Sequence, residues 1–203
     1  MSDNSCYNVI TNPHRILLWN LSERVRKRYE AERDTQFFEK GGVGMSDRLF
    51  FYDDISYVVS EAFRECFGKE IEFVERASDY AQNGKFWLTF RLLEKHYLLT
   101  FQSEKDMISV IIKDMEGAEA PLASMCVYAN ELSEENAIAA VQTLKKVLGE
   151  YEPVFAQSYG KNVVLKRTGM KTIVPAAEYR RMAANHECKV LSSEKIVAML
   201  RHA

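Results

Sequence analysis

The chain has 203 residues, of which 47% are hydrophobic and 28% carry a charged side chain. This balance is typical of a globular protein rather than a disordered one, and the length fits a single domain. No run of about 18 apolar residues is present and the N-terminus lacks the pattern of a secretory signal, so we expect a cytoplasmic protein without a membrane span.

The formal net charge of −2 is distributed unevenly along the chain. Residues 46–160 hold 20 acidic and 11 basic side chains, whereas residues 161–203 hold 3 acidic and 9 basic ones. A basic segment joined to an acidic body predicts one of two arrangements: the segment docks on that body, or it meets an anionic partner.

The four cysteines, Cys6, Cys66, Cys126 and Cys188, lie far apart and form no CxxC pair. Isolated cysteines in apolar segments are typical of small buried side chains in a reducing compartment. We therefore predict that the protein contains no disulfides.

The N-terminal part, residues 1–45, is predicted to hold one helix and a linker. Apolar residues recur at helical spacing over residues 14–33, directly after Pro13, and the same segment carries six basic residues. The glycine-rich stretch at 41–44 lacks the Gly-Lys-Ser/Thr ending of a phosphate-binding loop, so we interpret it as a flexible connection.

Residues 46–150 predict a core in which two helices flank a run of strands. The first helix covers residues 53–67, with Asp53 or Asp54 as its N-cap and Gly68 after its end. The second begins at Ser133 and ends at Gly149. Between them, short loops that include an Asn83-Gly84 turn join five predicted strands in sequence, at residues 70–80, 85–93, 96–103, 107–114 and 122–129.

Residues 151–203 are predicted to form a basic extension of the same domain. Residues 162–167 and 170–174 read as a hairpin turned at Thr168-Gly169, a short helix follows Pro175, and a final helix begins at Ser192 or Ser193. The predicted fold is thus α+β: an antiparallel sheet of about five strands in a meander, helices packed on one face, and a basic C-terminal hairpin-plus-helix extension.

No catalytic, cofactor or metal site is predicted. The sequence contains no nucleophile elbow and no catalytic-cysteine context, and His186 with Cys188 supplies only two neighbouring metal ligands where zinc needs four. A core without recognisable site chemistry favours a non-enzymatic protein-binding module, such as an inhibitor, adaptor or immunity-type protein. An enzyme without a recognisable motif stays an alternative.

A group of basic residues in the C-terminal extension is the remaining functional hint. Clustered lysines and arginines neutralise phosphates, so a small nucleic-acid-associated regulator is the second alternative. The predicted contacts to an anion or a partner are Lys166, Arg167, Lys171, Arg180 and Arg181. The oligomeric state stays open.

Overall fold

The computed structural model describes residues 47–79, 85–167 and 169–201. Over these ranges the chain is an α+β protein with a large antiparallel sheet, which confirms the predicted class. The predicted helix at 14–33, the glycine linker at 41–44 and the Asn83-Gly84 turn lie outside the described residues.

The first described helix, α1, runs over Asp47–Phe67. The prediction that Asp53 or Asp54 caps it is wrong, because both residues lie inside the helix. The reason is that the buried stripe begins earlier: Tyr52 and Ile55 are three residues apart and both are buried.

The second helix, α2, covers Glu134–Glu150 and begins as predicted. The backbone N–H of Asn136 donates to the Ser133 hydroxyl at 3.1 Å, and Glu134 and Glu135 occupy the first turn, where carboxylates stabilise the helix dipole. The helix continues one residue past Gly149. Helices α1 and α2 pack against each other.

The described residues form ten strands, whereas the sequence predicted about five in the sheet and two more in the C-terminal hairpin. The ten strands are β1 (Ile71–Asp79), β2 (Lys85–Leu92), β3 (Tyr97–Glu104), β4 (Met107–Lys113), β5 (Glu119–Pro121), β6 (Tyr151–Pro153), β7 (Phe155–Tyr159), β8 (Asn162–Arg167), β9 (Met170–Pro175) and β10 (Lys189–Leu191). Eight form one sheet in the order β1-β2-β3-β4-β5-β7-β8-β9, and β6 pairs with β10. The C-terminal hairpin therefore extends the main sheet.

The predicted strand at 122–129 is wrong. Leu122–Ser124 forms a short 3-10 helix, and residues 126–130 carry no regular structure. The Ser124 hydroxyl donates to the Pro121 carbonyl at 2.7 Å, which closes a turn. Leu122 and Met125 are both fully buried, and a spacing of three is that of a helical turn rather than a strand.

The pairing register determines which residues share a face of the sheet. Phe90, Leu99 and Ile112 lie side by side on one face, and the Phe63 ring of α1 stacks on Phe90 with centroids 4.2 Å apart. Helices α1 and α2 together cover this face over β2–β4, since α1 contacts β2 and α2 contacts β4. The adjacent residue Lys113 points to the opposite face.

The other half of the sheet is covered on the opposite face. Lys113 pairs with Glu119, Glu119 with Ala156, and Ala156 with Leu165, so these four side chains lie on the same face. Helix α3 (Ala176–Ala184) packs there, with Tyr179 and its neighbours against the buried β8 side chains. The prediction of helices on one face described the core helices, and α1 and α2 do pack together over the first face, whereas α3 of the C-terminal extension lies on the opposite face.

The last helix, α4, covers Ser193–Arg201, as predicted. The backbone N–H of Lys195 donates to the Ser192 hydroxyl at 3.3 Å, so Ser192 is the capping residue. Ile196, Val197, Met199 and Leu200 on this helix are all exposed.

The stack of Phe63 on Phe90 yields a stability prediction. Phe63 is fully buried, so Phe63→Ala should lower the free energy of unfolding by about 3–5 kcal/mol in urea denaturation. Phe73→Ala is the matched control. Phe73 is 51% exposed and meets Phe90 only edge-on, so its loss should be about 1 kcal/mol. If both substitutions lowered the free energy of unfolding by the same amount, the conclusion that α1 packs in the core would be wrong.

Candidate functional site

Strands β7, β8 and β9 present one face that no helix of the described residues covers. Direct pairing places Gln157, Val164 and Ile173 in one row across these strands, and Tyr159, Asn162 and Pro175 in the next. Tyr159 is 72% exposed and Ile173 is 64% exposed. We call these two rows the open face: Gln157, Tyr159, Asn162, Val164, Ile173 and Pro175.

A third row, formed by Phe155, Lys166 and Lys171, lies directly beside the Gln157–Val164–Ile173 row of the open face. Phe155 is buried, and its ring meets that of Tyr97 edge-on at 5.1 Å. Tyr97 lies on the face that α1 and α2 cover over β2–β4, since it pairs with Leu92 beside Phe90. The open face is therefore the continuation of that same face beyond the helices.

Lys166 connects the hairpin to the loop between β4 and β5. Its ammonium donates to a Glu116 carboxylate oxygen at 2.5 Å and lies 3.5 Å from Asp114. Lys171, directly opposite Lys166 on β9, lies 3.8 Å from the same Glu116 oxygen. Like charges that face each other across two strands repel, and Glu116 compensates this pair.

The ion pairs shift the pKa values of both partners. The hydrogen bond from Lys166, followed by its charge and that of Lys171, lowers the pKa of Glu116. The hydrogen bond to Glu116 is the main cause that raises the pKa of Lys166. The Lys166 side chain is 13% exposed but that of Glu116 is 66% exposed, so water screens this ion pair much as it screens other surface pairs.

An open cleft of about 250 Å³ lies beside this cluster. Tyr97, Asp114 and Glu152 line it from the sheet and β6, while Lys166 and Arg167 line it from the hairpin. Burial, then the charges of Glu152 and Asp114, raise the pKa of Tyr97 above its ordinary value. A cleft with both charge signs suits a polar side chain of a partner better than a simple anion.

The structure brings together three of the five basic residues that the sequence singled out. Lys166, Arg167 and Lys171 line the cleft. Arg180 and Arg181 lie on α3, over the opposite face of the sheet. Arg181 pairs within the extension itself, with Glu178 at 2.8 Å and Glu187 at 3.5 Å, and these carboxylates raise its pKa.

The open face and the acidic partners of Lys166 were not predicted from the sequence. The predicted hairpin could have indicated part of the open face. A two-residue turn at 168–169 predicts that Lys166 pairs with Lys171 and Val164 with Ile173, as the structure has them. Glu116 and Tyr97 lie about 50 and 69 positions before Lys166, and no local pattern connects them to it.

Three further findings concern disulfides, metal sites and membrane-spanning helices. Cys66, Cys126 and Cys188 are free thiols, which confirms the absence of disulfides over the described residues; Cys6 lies outside them. Within the same ranges no group of three His, Cys, Asp or Glu side chains is placed to hold a metal ion. No helix that the structure describes is long and apolar enough to cross a membrane.

Comparison of the chain with protein-family models, with curated proteins and with solved structures gave no match.

The Glu116–Lys166 pair yields a prediction on pH. Because the pKa of Glu116 is lowered on folding, its contribution to stability is complete above the ordinary value of 4.5 and is lost as the pH falls through the lowered value. Lys166, whose pKa is raised, contributes up to its ordinary value of 10.5 and loses its part only above it. Glu116→Gln should therefore lower the melting temperature at neutral pH, and this difference should shrink below about pH 4.

Glu94→Gln is the control for this experiment, since Glu94 is exposed in the β2–β3 turn and forms no ion pair among the described residues. It should leave the melting temperature unchanged at every pH. A Glu116→Gln effect of equal size at neutral and acidic pH would contradict the ionic origin of the link.

Proposed function

We propose that this chain is a non-enzymatic protein-binding module, of the inhibitor, adaptor or immunity type, and that it engages its partner through the open face. The observation that carries the proposal is the exposure of Tyr159 and Ile173 at the end of a face that helices cover elsewhere. Sheets that expose apolar side chains in a contiguous group mark sites of protein contact, because burial of such area stabilises a complex.

The composition of this region supports the same function. Val164 and Ile173 lie side by side, Tyr159 lies diagonal to Val164, and the amides Gln157 and Asn162 flank Val164. Charged side chains follow at the cleft. Protein interfaces commonly have an apolar centre, a polar rim and an exposed tyrosine among their main anchors. The free thiols Cys66, Cys126 and Cys188 fit a cytoplasmic location for this activity.

The contacts of the basic residues favour a protein partner over nucleic acid. Lys166, Lys171 and Arg181 each lie within 4 Å of a carboxylate oxygen of this chain. Arg167 and Arg180 are exposed, at the end of β8 and on α3. A phosphate backbone needs several cations along one surface, and carboxylates of this chain already compensate three of the five basic residues.

Photo-crosslinking tests the proposal. A benzoylphenylalanine placed at Tyr159 should form a protein adduct in extracts of the host cell. The same probe at Val127, an apolar residue that is 78% exposed in a distant loop, is the matched control and should not. Adding Ile173→Glu to the Tyr159 probe should reduce the adduct at least about tenfold, because the charge would be buried without a partner.

Two results would count against the proposal: adducts of equal yield at positions 159 and 127, or an adduct at 159 that Ile173→Glu leaves unchanged. Either would mean that the open face makes no specific contact.

The nucleic-acid alternative has its own test. We expect no salt-sensitive shift of mixed-sequence DNA or RNA in a low-salt gel assay. If a shift appears, weakens steeply as salt rises, and disappears in the Arg167→Glu, Arg180→Glu double variant, then the extension binds phosphates and the alternative replaces our proposal.

A further inference from the structure

Strand β9 ends the main sheet and has one edge without a neighbouring strand among the described residues. Its pairs with β8 alternate between hydrogen-bonded and non-hydrogen-bonded ones. The Ala176 N–H donates to the Lys161 carbonyl at 3.1 Å, so the Lys161–Ala176 pair is hydrogen-bonded. Counting along the register from this pair makes Val163–Val174, Leu165–Thr172 and Arg167–Met170 the hydrogen-bonded pairs.

This alternation determines which backbone groups of β9 point outward. Lys171 and Ile173 belong to non-hydrogen-bonded pairs, so their N–H and C=O groups face away from β8. Pro175 comes next in the outward series and has no N–H, which limits the usable edge to these two residues. Four backbone groups are thus directed at the site of an additional strand.

The opposite edge of the sheet differs from β9 in the ways that block strand addition. Strand β1 has a bulge between Phe73 and Glu75, and its side chains include Glu72, Arg76 and Asp79. Bulges and dense charge are the devices by which natural edge strands avoid pairing with other chains. Strand β9 has regular register and a single charged residue, Lys171.

We propose that β9 binds an extended acidic peptide segment of the partner by antiparallel strand addition; this inference rests on the proposed function and specifies its mode. The positive charge of residues 161–175 indicates that the segment that pairs with β9 is acidic. Residues 161–175 contain four basic side chains and no acidic one, so a second copy of this hairpin would add positive charge to a basic edge. A carboxylate opposite Lys171 would supplement Glu116, which bonds to Lys166 at 2.5 Å and lies 3.8 Å from Lys171.

The geometry also specifies a pattern in the bound segment. Residues opposite Ile173 and Lys171 lie two apart in the partner and share the side of the open face. In an antiparallel strand the residue opposite Ile173 comes first. The segment therefore reads apolar–any–acidic, with the apolar side chain extending the Gln157–Val164–Ile173 row. A β-branched residue fits this row best.

Synthetic peptides test this mode directly. The probe is a capped eight-residue peptide that alternates Val and Thr, with Glu two residues after a central Val. We expect it to shift the backbone amide resonances of Lys171 and Ile173 and to slow their hydrogen exchange. Replacing that Glu by Lys should weaken binding roughly fivefold. N-methylation of the two peptide amides that face β9 should abolish it.

A pair of chain variants separates the backbone contribution from that of the side chain. The Ile173 N–H has no partner in β8, so Ile173→Pro removes an outward donor without breaking the hairpin ladder. Ile173→Ala removes the side chain and keeps the donor. Strand addition predicts that the proline variant binds the peptide at least about fivefold more weakly than the alanine variant. Equal affinities would overturn it, provided that both variants melt like folded proteins.

The remaining outcomes are equally decisive. Shifts confined to Tyr159 and Val164, without the Lys171 and Ile173 amides, would overturn strand addition but leave the open face as the binding surface. Absence of any shift at millimolar peptide would overturn strand addition, and the crosslinking experiment would then show separately whether the face binds a protein. A purified chain whose β9 amides are already protected in a dimer would assign the edge to a second copy and overturn the proposal.

Discussion

The two halves of the main sheet are joined by one β-pair, Glu119 with Ala156. This pair determines which side chains of β7–β9 lie on the same face as those of β2–β4, and the rest of the architecture depends on it. Because side chains alternate strictly along a strand, the pair places Phe155 on the face of Ile112 and Leu165 on the face of Lys113. Helices α1 and α3 then cover opposite faces of the two halves. The open face follows from this arrangement, since the side that α1 and α2 cover over β2–β4 continues uncovered across β7–β9.

A join of one β-pair needs support from side chains, and the supports are also the features that define the site. Lys166 bonds to Glu116 across the join, Tyr97 meets Phe155, and the backbone N–H of Cys188 donates to the Ser124 carbonyl at 3.0 Å. The predicted docking of the basic extension on the acidic body is present at Lys166 and Lys171. It does not extend to Arg181, whose carboxylate partners lie in the extension itself.

Local patterns predicted the elements that local energetics determine. The Ser133 cap, the buried stripe of α1, the first four strands and the pairing of β8 with β9 all depend on residues within a few positions of each other. The fifth strand was wrong because the Leu122–Met125 spacing belongs to a turn, and the strand count was low because the join at Glu119 and Ala156 spans 37 positions. The five predicted basic residues were divided between two faces for the same reason: only tertiary register decides which side of the sheet each one occupies.

The central claim is that the open face and the β9 edge form the binding surface of this protein. Hydrogen–deuterium exchange of the chain, free and in its affinity-purified native complex, measures this directly. We predict slower exchange in the complex over residues 169–175, which hold the outward amides of Lys171 and Ile173, and little change over β1. Protection confined to β1 or to α4, with residues 169–175 exchanging at the same rate in both states, would contradict the claim.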